Sequence, residues 1–159
     1  MEAVVLDSSV IVKALVKPAR WLPAEIYRRE LETHIKARRV IELLRLRKRR
    51  VLLPFPILVE VAAVLSRLAD KELAEKTVES LRTTENYVVI DEEDVREEAL
   101  KIAIDTGSSG FDAYILATAQ KYKALLITDD QPMSIHAKKQ HIKSILLRNT
   151  TIQDLETLI

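Results

Sequence analysis

The chain is expected to fold as an α/β domain around a largely parallel sheet. Two observations carry that expectation. Five short runs of Val, Ile and Leu lack the polar alternation of a half-exposed strand, which suits strands covered on both faces. Between them lie longer stretches with apolar residues at helical spacing, and strands alternating with helices imply right-handed crossovers within one sheet. A length of 159 residues accommodates one such domain, 1–159, with a single core.

In chain order, residues 3–6 form the first expected strand, which runs straight into Asp7. Residues 24–49 place Ile26, Ile35, Val40, Leu43 and Leu44 near helical spacing among many charges, as one helix or two. Residues 51–53 make a second strand. The helix expected over 56–68 opens with Pro56, tolerated in a first turn, and aligns Ile57, Val61, Val64 and Leu68 in one stripe. Helices over 73–81 and 94–104 flank a strand at 87–90, with Gly107 as a stop signal after the second. A helix over 109–121 and strands at 124–128 and 144–147 complete the set.

Composition narrows the chemistry. Hydrophobic content of 48% and charged content of 31% describe a globular chain. The net charge of +1 hides local runs: "RLRKRR" at 45–50 is strongly basic, whereas residues 92–98 are acidic. Without cysteine there are no disulfides and no thiolate metal sites. The first residues lack a basic region followed by a long apolar one, and no apolar stretch approaches the roughly 20 residues of a membrane span. The chain therefore reads as cytoplasmic and not membrane-bound. There is neither Gly-x-Gly-x-x-Gly nor a P-loop to support a nucleotide cofactor.

The informative feature is where the acids fall. "LLITDD" ends a strand in Asp129 and Asp130, and "VVLD" ends another in Asp7. A turn would explain either one alone. In an open parallel sheet, however, ligands gather beyond the carboxyl ends of the strands where strand order reverses. Glu60 shares the stripe of its helix with Ile57 and Val64, although an early helical turn also favours a Glu through the helix dipole. Asp112 leads the stripe Ile115, Leu116 and Ala119, and "SSGFD" equally fits a Ser-x-x-Asp capping box from Ser109. The only two glycines, Gly107 and Gly110, precede this helix and mark a tight turn or a close approach. Four carboxylates facing one cleft would disfavour full ionisation without a cation, and oxygen-only donors suit Mg²⁺ or Mn²⁺. His34, His136 and His141 show no ligand spacing.

On "VVLDSSVIVKAL", "PILVEVAAVL", "SGFDAYILATAQ" and "LLITDDQPM", the sequence resembles the PIN-domain ribonucleases, especially the small VapC-type toxins. The resemblance spans essentially the whole chain. It implies a three-layer α/β/α sandwich with a central parallel sheet of strand order 3-2-1-4-5. It also implies Mg²⁺- or Mn²⁺-dependent hydrolysis of RNA phosphodiesters by an endoribonuclease, leaving a 3′-hydroxyl and a 5′-phosphate. Carried over by motif position, Asp7, Glu60, Asp112 and Asp130 are the catalytic and metal-binding acids, with Ser9 and Thr128 as supporting polar residues. The family's last acid stands two residues after the Thr, which favours Asp130 and leaves Asp129 as an outer acid. Residues 19–31, "ARWLPAEIYRREL", look like extra length relative to compact toxins.

The expected partners are an RNA substrate, a cognate antitoxin protein and a second copy in a homodimer. Ile41 and Leu44 read as exposed aliphatic residues that serve either a dimer interface or an inhibitor. Arg45, Arg47, Lys48, Arg49 and Arg50 read either as phosphate contacts or as cations favoured at a helix end. An RNA-maturation nuclease, a catalytically silent binding module and a receiver-type phosphoacceptor domain are the competing readings. The last expects its acidic pair after the first strand, whereas here the pair comes late.

Overall fold

A computed structural model describes residues 2–159. Five strands, β1 (Val4–Leu6), β2 (Val51–Pro54), β3 (Tyr87–Ile90), β4 (Leu125–Thr128) and β5 (Ser144–Leu146), form one sheet. All pairings are parallel and the order is β3-β2-β1-β4-β5. Eight helices among the described residues cover its two faces: α1 (Ser8–Leu15), α2 (Ala24–Leu46), α3 (Phe55–Leu68), α4 (Lys71–Thr83), α5 (Glu92–Thr106), α6 (Gly110–Lys121), α7 (Gln131–Lys139) and α8 (Ile152–Leu158). A 3-10 turn, Leu147–Asn149, follows β5.

The strands form because their residues can be buried on both faces. Leu6, Leu52, Leu53, Leu126 and Ile127 are almost wholly withdrawn from water, each contributing about 1.5–3 kcal/mol. Edge strand β3 is half-buried over Tyr87, Val88 and Val89, as befits its position. Caps set the helix starts: Asp70 Oδ1 accepts from Leu73 N at 2.7 Å, Ser109 Oγ from Asp112 N at 3.3 Å and Thr151 Oγ1 from Asp154 N at 3.1 Å. Gly107 ends α5 at φ +66°, where a side chain would be strained.

Several expectations need correction. Residues 24–46 form one continuous helix, because Ala37, Val40, Leu43 and Leu44 give it an unbroken buried face, while Ile26 and Ile35 point to water. Leu44 is thus core, and Ile41 is half-buried against it. On α3 the buried stripe is Ile57, Leu58, Val61 and Leu65; Val64 is only half-buried and Leu68 is 61% exposed. The segment 19–31 supplies the first turns of α2 and the loop before it. Helices α1, α7 and α8 are additional to the sequence reading; each has nine residues or fewer, too few to display a full period.

Parallel strands give the sheet two chemically distinct edges. Arg50 O accepts from Val4 N, so the turn after α2 lies at the amino ends of the strands. Asp7 and Asp129 follow the carboxyl ends of adjacent β1 and β4, where strand order reverses. Helix α2 leads into the amino edge, so its first turns lie toward the carboxyl edge.

Candidate active site

Asp7 caps no helix with its side chain, although it occupies the N-cap position of α1. Its Oδ2 instead accepts from Ser9 Oγ and Thr128 Oγ1, each at 2.7 Å. Those hydroxyls are themselves fixed from the other side: Ser9 Oγ accepts from Asp129 N and Thr128 Oγ1 from Asp130 N, both at 3.0 Å. The two hydroxyls therefore stitch the end of β1 to the end of β4, and both donate to one oxygen. Oδ1 has only a 3.4 Å contact from Ser8 Oγ. Burial pushes the Asp7 carboxyl above its ordinary range, Thr128 and Ser9 pull it back, and the charge of Asp130 raises it further.

Asp112 lies in the first turn of α6. Burial raises its carboxyl first, then the charges of Asp7 and Asp130, with Glu60 adding to them and the Ser109 hydroxyl offsetting part; the result is about 6. Three acids from separate parts of the chain thus bear on Asp112. Ser109 does cap α6, so the capping signal was genuine, but Asp112 also belongs to this charge cluster. Gly110 has no protein atom within 4 Å of where a Cβ would stand, so Gly107 alone meets the backbone expectation. Asp130 Oδ1 caps α7 by accepting from Met133 N at 2.8 Å.

Asp129 does something different. Its side chain is 0% exposed and its carboxylate is enclosed by cations. Lys13 Nζ donates to Oδ2, as does Arg148 Nη2 at 3.1 Å, while Arg148 N donates to Oδ1 at 2.9 Å. Lys13 Nζ also meets Glu30 at 3.2 Å. Adjacent residues of one turn therefore divide their work: Asp129 anchors α1 and the turn after β5, and Asp130 faces the acidic cluster. Lys13, Glu30 and Arg148 were not singled out from the sequence. One signal was available, since a buried extra acid requires a cationic partner and Lys13 interrupts an otherwise apolar helix.

Both nearby cations are thus committed to Asp129. No salt bridge among the described residues reaches Asp7, Glu60, Asp112 or Asp130. Nor, among the described residues, do three His, Cys, Asp or Glu side chains stand as a ready-made ligand shell. What the cluster offers is a set of hard oxygen donors whose mutual repulsion the protein's own cations leave uncompensated. That donor set fits a divalent cation of the Mg²⁺ or Mn²⁺ kind.

The basic residues of 45–50 are placed elsewhere. They sit beside Arg50 at the amino edge, with the 23-residue α2 between them and the acids. Arg45, Arg47, Lys48 and Arg50 are exposed. Arg49 is buried, donating from Nη1 to Ile159 O at 2.8 Å, so it is unavailable to phosphate. His34 is buried with Nδ1 at 2.5 Å from Lys13 O.

With this geometry in hand, the family profile described as "PIN domain" matches residues 4–139. Among solved structures, the crystal structure of FitAcB from Neisseria gonorrhoeae is similar in fold. The TM-score is 0.56 at 18% sequence identity, covering 92% of this chain and 99% of that one. No curated protein matches the chain in sequence.

Proposed function

The chain belongs to the PIN-domain family, and from that premise we propose that it is a divalent-metal-dependent endoribonuclease acting as the toxin of a toxin–antitoxin pair. PIN domains are generally nucleases. The observation that supports the reading is that the charges of Asp7, Asp130 and Glu60 all raise the Asp112 carboxyl, while no salt bridge among the described residues reaches any of the four.

In this reading Asp7, Asp112 and Asp130 would hold the ion, and Ser9 and Thr128 fix the Asp7 carboxylate by donating to its Oδ2. When bound, the ion supplies a nucleophile near neutral pH and offsets negative charge on phosphorus. Glu60, half-buried on α3, orients the attacking water and takes its proton. Attack of that water would form the new P–O bond as the P–O3′ bond breaks; the leaving 3′ oxygen takes a proton from solvent, so the products would carry a 3′-hydroxyl and a 5′-phosphate.

The test is cleavage of a mixed single-stranded and structured RNA pool with Mn²⁺, Mg²⁺ or EDTA, comparing the native chain with Asp112→Asn. Metal-dependent cutting, lost in the folded variant, is expected; equal cutting by both would refute the assignment. The narrower toxin role is checked separately, by growth arrest on expression and relief by the product of an adjacent reading frame.

A further inference from the structure

We propose that residues 17–29, the loop before α2 and its first turns, form a landing platform for single-stranded RNA. In it Trp21 stacks on a base, and Arg20, Arg28 and Arg29 meet phosphates. The inference deepens the nuclease reading and rests on it for the identity of the ligand.

Trp21 is the chain's only tryptophan and is 83% exposed. So large an aromatic surface in water is unusual for a side chain that serves only the fold. Its neighbours along the chain are mostly cationic: Lys17, Arg20, Arg28 and Arg29 are all exposed, against the single acid Glu25 within the same thirteen residues, although Arg29 Nε also lies 3.9 Å from Glu30 Oε1. An aromatic face among guanidinium groups suits a polyanion that carries planar bases. Bases inside a duplex are already stacked on one another, so an exposed aromatic side chain favours a single strand over a duplex.

Position supports the same conclusion. Glu30 on α2 shares the Lys13 ammonium with Asp129, the neighbour of Asp130. That contact fixes the level of α2 against the acidic cluster. Helix α2 heads from there toward the amino edge, so its start lies on the other side, beyond Glu30. Ala24 stands six residues before Glu30, about 9 Å further along the axis. The platform therefore flanks the carboxyl edge where Asp7 and Asp130 emerge, whereas the basic turn at 45–50 lies at the opposite edge. One helix separates the two basic clusters, and only the first is placed to deliver a strand to the acids.

The experiment uses the full chain in excess EDTA, so that binding is read without cleavage. A uridine decamer is titrated while the emission of Trp21 is followed. The expected result is saturable quenching that weakens with salt. With a labelled decamer, Trp21→Ala should weaken binding about tenfold and Trp21→Phe should restore most of it. Changing Arg20, Arg28 and Arg29 together to Gln should lower the salt slope by about 2. Because these side chains are exposed, thermal unfolding should be unmoved in every variant. Unmoved Trp21 emission, or wild-type affinity in Trp21→Ala, overturns the platform. So does an emission change that follows protein concentration alone, which would mean that a second copy covers Trp21. Cutting with Mn²⁺ but no quenching would remove only the platform. Quenching with no cutting under any metal would keep the platform and remove the nuclease.

Discussion

Thr128 Oγ1 donates to Asp7 Oδ2 at 2.7 Å and with the same oxygen accepts the Asp130 amide at 3.0 Å. A single hydroxyl thereby sets the distance between two carboxylates that lie 123 positions apart in the chain. Ser9 repeats the arrangement through Asp129 N.

Replacing Thr128 with Val keeps the shape and removes both bonds. It should lower unfolding free energy by about 1–3 kcal/mol, because the buried Asp7 oxygen and Asp130 amide each lose a partner. Combined with Ser9→Ala, the loss should differ from the sum of the single losses by 0.5 kcal/mol or more, about the threshold expected for groups sharing one oxygen. Urea unfolding of the four proteins closes the cycle.

Asp129→Asn removes the one carboxylate that both Lys13 and Arg148 address. Two cations left facing a neutral amide should cost about 2–4 kcal/mol, toward the lower end because Lys13 and Arg148 are partly solvated. Denaturant midpoints measure this. Manganese affinity per folded molecule should change far less than in Asp112→Asn.

Asp112→Asn should have the opposite sign of effect on stability. The folded carboxyl is raised from 3.8 to about 6, so between those pH values the native state binds more protons than the unfolded chain. Its stability contribution is therefore best at low pH and is lost as pH rises through about 6. The shift corresponds to at most about 3 kcal/mol, and partial solvent exposure reduces that to about 1 kcal/mol. In EDTA the variant should melt higher than the native chain above pH 6 and equally below pH 4. Thermal scans across that range provide the check.

Divalent cation should reverse that ranking. At a hundredfold excess over its dissociation constant, Mn²⁺ should stabilise the native chain by about 2.7 kcal/mol and leave Asp112→Asn nearly unchanged. Calorimetry with and without EDTA measures both.

Changing Arg45, Arg47 and Arg50 together to Gln should leave the salt dependence of RNA cleavage unaltered, since these residues occupy the edge remote from the acids. Arg49→Gln should instead register as a loss of stability through its bond to Ile159 O. Rate against ionic strength distinguishes the two.

The strands were legible because each is a short run of branched apolar residues, and their ends agree with the structure to within a residue. Strand order came with the family resemblance, since periodicity says nothing of which strands are neighbours. The positions of the acids were legible for a related reason: a strand that stops at Asp7 or Thr128 announces the sheet's carboxyl edge. The core stripe of α3 differs in its second half, because α3 turns Leu58 and Leu65 inward and leaves Val64 half-buried and Leu68 in water. The roles of Lys13 and Arg148 could not be read locally. They meet Asp129 across 116 and 19 positions, and a charged side chain has no period that reveals its partner.

The family profile match stops at residue 139, but the packed domain does not. Beyond that point lie β5, which extends the sheet past β4, and Arg148, which closes over Asp129. Lys36 Nζ donates to Arg148 O at 3.2 Å, Arg39 Nε to Glu156 Oε1 at 3.0 Å and Arg49 to Ile159 O, so α2 grips this final stretch along its length. Truncation at the boundary that sequence likeness suggests would strip a strand from the sheet, bare the β4 edge and strand a buried acid with half its cations. The last twenty residues are the buttress of the domain, and any excision or fusion that treats them as a dispensable tail should yield an aggregating protein.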